Sequence, residues 1–141
     1  MPHAMLRRIL VTAALGTFPG LITPAAAHHS FSAEFDINQP IQLSGEVIRL
    51  VFSNPHSYIY LKVTTATGEV QEWAIEGGAP NALIRRGWDR NSLPAGTKIS
   101  VVGYRARGDE YRASGGAVTL PDGTELNAGS TGVGAAPGAA E

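Results

Sequence analysis

Residues 56–65, and again residues 69–76, alternate apolar and polar side chains with a period of two. In the first run Ile59, Leu61 and Val63 share one face, and Tyr58, Tyr60, Lys62 and Thr64 share the other. In the second run Trp73 and Ile75 take the phase opposite to Glu72 and Glu76. Successive helical side chains turn by about 100°, so such runs gather an apolar face only as strands. Thr67-Gly68 between them predicts a tight turn, and two alternating runs joined in this way form an antiparallel hairpin. One face of it must be buried, and that requirement makes the domain mainly β.

Residues 41–52 predict a long strand before the hairpin. Its apolar phase changes part-way: Ile41, Leu43 and Val47 are odd, whereas Ile48, Leu50 and Phe52 are even. A slip near Gly45 predicts a bulge or sharp bend, because one added residue sends every later side chain to the opposite face. Ser53-Asn54-Pro55 predicts a turn. After Gly77-Gly78, residues 79–86 predict a short helix, with Pro80 suited to its first turn and Gly87 to its C-terminal cap. Residues 97–106 and 111–120 predict two more strands. Three strands, a short helix and two strands, with a bent first strand, is the order of a five-stranded OB-like barrel. Another small β-barrel or sandwich fits the spacing as well. Trp73 and Ile75 are expected in the core, and Trp88 at one end of the barrel.

The N-terminus has three zones. Arg7 and Arg8 precede a stretch of apolar residues from 9 to 22, and Ala25-Ala26-Ala27 satisfies the small-x-small rule of signal peptidase. A spanning helix needs about 20 apolar residues, and Pro19-Gly20 interrupts this shorter run. Residues 1–27 are therefore expected to be a cleaved signal peptide, with no stable membrane insertion afterwards and a periplasmic or secreted product. Removing them leaves 114 of the 141 residues, enough for one compact domain. Nine Lys and Arg (eleven less Arg7 and Arg8) then face twelve Asp and Glu, a formal charge near −3. That balance argues against nucleic acid as a partner. With no cysteine, thiol catalysis, thiolate metal sites and disulfide scaffolds are excluded. Residues 28–40 read as a polar N-terminal arm, 41–126 as the barrel domain, and 127–141 as a flexible Gly- and Ala-rich tail.

The segments AHHSF, EFD, SNPHSYIYL, VQEWAIEGGAP, LIRRGW and LPAGTKISVVGYRARG occur in that order. Together they resemble a family of small exported bacterial proteins catalogued as a domain of unknown function. The resemblance covers roughly residues 28–127. It is strongest at Asn54-Pro55-His56, at Trp73 with Glu76, and at Arg86-Gly87-Trp88. It implies export and a small β-barrel, and it implies no activity, substrate or cofactor.

The side chains that can carry chemistry are few. Cleavage after Ala27 makes His28 the N-terminus, whose amine and imidazole can chelate copper(II), with His29 or His56 completing the set. Nitrogen-rich tetragonal geometry suits copper or nickel. As a structural alternative, His28 and His29 are solvated residues of a frayed terminus. His56 opens a strand, where an imidazole can serve as ligand or base, or can simply bond a backbone carbonyl of the turn. Glu72 and Glu76 lie on one strand face, and Glu76, ahead of two glycines, is the better candidate for acid–base work. No nucleophile elbow, phosphate loop or zinc-hydrolase motif occurs. The chain is therefore expected to be a binding module without catalysis. An OB-like barrel binds over its second and third strands, which here assigns His56, Tyr58, Tyr60, Glu72, Glu76 and Arg107 to the ligand face. The partner expected is a small molecule, a glycan or an envelope protein.

Overall fold

The computed structural model of the protein describes residues 31–129. The chain runs through α1 (Phe31–Glu34), β1 (Phe35–Val51), β2 (Tyr58–Thr64), β3 (Val70–Glu76), α2 (Pro80–Arg85), β4 (Lys98–Ala106), β5 (Arg112–Thr119) and β6 (Glu125–Asn127). Neighbouring strands pair in the order β3-β2-β1-β4-β5-β6. A short parallel pairing of β3 with β5, from Ala74↔Arg112 to Glu76↔Ser114, closes five of them into a ring. The domain is mainly β, with a single short helix between the third and fourth strands, as the OB-like order predicts.

β1 is long enough to serve two partners. Its first part pairs with β4 and its last part with β2, and Glu46 stands in register with both Lys98 and Lys62. Gly45 lies at this handover. A Cβ there would run into the Lys62 carbonyl, so only glycine lets the two backbones approach so closely. The predicted slip is present three residues later: the register shifts between Val47 and Arg49, with Ile48 as the extra residue. It reverses the phase of β1, so that Val47 and then Leu50 both point into the ring.

β1 starts at Phe35, six residues before the strand expected from the sequence. Before Ile41 the alternation runs only over residues 35–38, and Gln39-Pro40 breaks it. Non-local contacts hold this segment: Phe35 pairs with Ala106 and Pro40 with Tyr104, with an irregularity between that tolerates proline. Phe31, Phe35 and Tyr104 form a small second apolar cluster on the outside of β4.

Leu61, Ile75, Val47, Val101 and Val118 fill the ring. α2 closes one end with Leu83. Its C-terminus is a Schellman motif, in which Trp88 N–H donates to Leu83 O, Gly87 N–H donates to Ile84 O, and Gly87 takes φ 90°. The motif turns the chain inward, and Trp88 is buried at 2 % exposure. β6 was not expected from the sequence. It pairs with β5, and the next residue, Ala128, is buried in the core although composition assigns it to the tail. Among the described residues no helix is long and apolar enough to cross a membrane.

Candidate functional site

The outer faces of β2 and β3 carry the side chains that alternate away from the core. Register sets Tyr58 opposite Glu76, Tyr60 opposite Ala74 and Lys62 opposite Glu72. On the other side of β2, the bulge in β1 brings Arg49 opposite Tyr60. The Arg49 guanidinium stacks 3.9 Å from the Tyr60 ring centroid, and the Tyr58 and Tyr60 rings lie 6.3 Å apart. Arg49 is exposed and both tyrosines are half-buried. The result is a strip of aromatic and cationic surface suited to stacking and cation–π contacts.

His56 stands at the end of this strip. The turn before it contains a cis Asn54–Pro55 peptide, and the Ser53 hydroxyl donates to the His56 carbonyl at 2.7 Å. The imidazole does not bond a backbone carbonyl of the turn. Its Nδ1 lies 3.5 Å from a Glu76 oxygen, and the side chain is 42 % exposed.

Glu76 is the hub of the site. It is only 8 % exposed, and its Oε2 accepts from Arg112 Nη2 at 2.5 Å and from the Tyr58 hydroxyl at 3.3 Å. The same Arg112 nitrogen donates to Glu34 at 2.7 Å. Arg112 thus bridges a buried carboxylate of β3 and a carboxylate of α1, with its guanidinium 5.2 Å from the Phe35 ring centroid. Burial alone would lower the Arg112 pKa, but the hydrogen bonds to Glu76 and Glu34 outweigh it and hold the group above its ordinary value. Burial raises the Tyr58 phenol, and the Glu76 charge raises it further.

The expected ligand face is therefore only partly assembled as one surface. His56, Tyr58, Tyr60 and Glu76 come together. Glu72 is exposed farther along β3, opposite Lys62. Arg107 is directed to the N-terminal segment, where it pairs with Asp36 at 3.3 Å and donates to the Ser32 carbonyl at 3.0 Å. His28 and His29 lie outside the described residues. Among the described residues, no group of three or more His, Cys, Asp or Glu side chains is placed to hold a metal. Between Glu34 and Glu76, the position a cation would take is filled by Arg112 itself.

Sequence reasoning missed Arg49, and it did not bring Arg112 and Glu34 together. Arg49 was within reach, because the phase change in β1 puts it on the outer face once the bulge is set at Ile48. Arg112 and Glu34 depend on the β3–β5 pairing and on the N-terminal segment folding back, and no local pattern announces either.

Fold and site define a small mainly β domain whose strands close into a ring, with its N-terminal segment clasped to the outside by arginine–carboxylate pairs. The chain belongs to the family of unknown function DUF6152, whose family model matches residues 19–115. No curated protein and no solved structure matches it.

Proposed function

We propose that this protein is an exported, non-catalytic binding module that takes its partner on the outer face of β2. The observation that carries the reading is the strip of Arg49, Tyr60, Tyr58 and His56. α1 and the start of β1 cover the outer face of β4, whereas this strip stays accessible and presents three rings beside a guanidinium. The basic, apolar and small-residue zones of residues 1–27 support export. The partner is a small molecule, a glycan or an envelope protein. Benzoylphenylalanine in place of Tyr60, activated in living cells, should give one discrete adduct in the envelope fraction. The adduct should disappear when Arg49→Ala and Tyr58→Ala are added. Absent or indiscriminate labelling, or retention of the chain in the cytoplasm with residues 1–27 attached, would overturn the proposal.

A second reading is copper(II) or nickel(II) binding by His28 and His29 with His56. It is favoured by the orientation of His56, since a carboxylate at one ring nitrogen is how imidazole ligands are commonly held. Titration of the purified protein with copper(II) against a competing chelator should give sub-micromolar affinity, lost in the His28→Ala, His29→Ala variant. Equal affinity in parent and variant refutes this second reading.

A further inference from the structure

A second concave surface lies farther along the outer face of β2, beyond the strip, where Lys62 and Thr64 line it. Around the bend at Gly45, residues of β1, β2, β4 and the end of β5 line an open groove of about 420 Å³. That volume falls in the range of about 300–1,000 Å³ usual for small-molecule sites. The shape follows from the fold, because β1 must bend here to pass from β2 to β4.

The lining is specific in its chemistry. Glu46 stands between Lys62 and Lys98 in register and pairs with Lys62 at 3.4 Å. Lys98 is exposed and makes no ion pair among the described residues. Two ammonium groups thus flank one carboxylate, and one positive charge is left over. In the floor, Ser44 and Ser100 share a single 2.8 Å hydroxyl bond. A hydroxyl offers one donor and two acceptor positions, so both keep capacity for a ligand. Leu120 forms an apolar wall on one side.

We infer that this groove binds an anionic sugar. Lys98 takes the carboxylate or phosphate, Glu46 and the two serines engage ring hydroxyls, and Leu120 covers a C–H face. A neutral sugar leaves Lys98 unused, and an apolar ligand leaves the hydroxyl floor unpaired. A single surplus charge is too little for a polyanion.

The test is titration of the ¹⁵N-labelled protein with glucuronate, glucose 6-phosphate, glucose and acetate. Glucuronate or glucose 6-phosphate should shift amides near Gly45, Lys62, Lys98 and Leu120, and the tighter of the two identifies the anion. Glucose and acetate should bind at least about tenfold more weakly, as each lacks one half of the recognition. Lys98→Gln, an exposed change that leaves the fold intact, should weaken the anionic sugar by about tenfold. Arg49→Ala should have no effect, which separates this groove from the strip on β2. No shift with either anionic sugar, or acetate or glucose binding as tightly as they do, would overturn the assignment.

Discussion

Replacing Arg112 with alanine is expected to lower the unfolding free energy by about 3 kcal/mol at pH 7, measured by urea denaturation. Arg112 is 29 % exposed and Glu76 only 8 %, so the carboxylate is the member of the pair that suffers when its partner is removed. Without the guanidinium, Glu76 is a buried charge facing a second carboxylate, Glu34, that had shared the same nitrogen. Arg112→Met, which keeps the packing on Phe35, should lose nearly as much, because the unpaired carboxylate dominates the cost. Adding Glu76→Gln to Arg112→Met should restore most of the loss, since a neutral pair leaves no stranded charge. A loss below about 1 kcal/mol in Arg112→Ala would mean that the pair is solvated like an ordinary surface ion pair.

The second clasp, between Arg107 and Asp36, sets how the N-terminal segment responds to acid. The Asn38 backbone N–H holds the Asp36 carboxyl below its ordinary value, and the Arg107 charge adds to this against some desolvation. A carboxyl lowered in the folded state contributes stability above its unfolded pKa of about 3.9, and loses it as pH falls through the lower folded value. The segment therefore stays clasped through mild acid.

What was legible in the sequence was the part of the fold set by local pattern. The β2–β3 hairpin follows from strict alternation around Thr67-Gly68, and α2 from Pro80 at its start and Gly87 at its end. The start of β1 was hidden because Phe35 and Pro40 pair with residues more than sixty positions away, across an irregular register. Glu76 stood out as a carboxylate ending a strand beside two glycines. Its partner Arg112 could not be read from pattern, because the parallel contact that brings β5 beside Ala74 leaves no periodic trace. Arg107 was misleading for the related reason that its carboxylate, Asp36, belongs to a short stretch that Gln39-Pro40 cuts off from the strand pattern after it.

Ala128 shows the same limit beyond β6, whereas Trp88 closes one end of the ring as expected, and Trp88→Ala is expected to destabilise the protein by about 4 kcal/mol. The side chain is 2 % exposed, and removing it opens a large cavity beside Leu83. Its indole N–H also donates to the Asn127 carbonyl at 2.9 Å. Gly78 N–H donates to Ala128 O and Ala128 N–H to Gly116 O, so the chain after β6 is stitched between the β3–α2 connection and β5. Trp88→Phe keeps most of the apolar volume and loses the indole bond, and it should cost about 1–2 kcal/mol. The two variants should also differ in hydrogen exchange. In Trp88→Phe the Ala128 amide should lose protection while amides of β2 and β4 keep theirs, because only the stitch is weakened. In Trp88→Ala protection should fall throughout the core. If the Ala128 amide stays protected in Trp88→Phe, the indole acts through packing alone. In that case the backbone bonds of Ala128 suffice to hold a segment whose composition, rich in Gly and Ala, gives no sign that it belongs to the core.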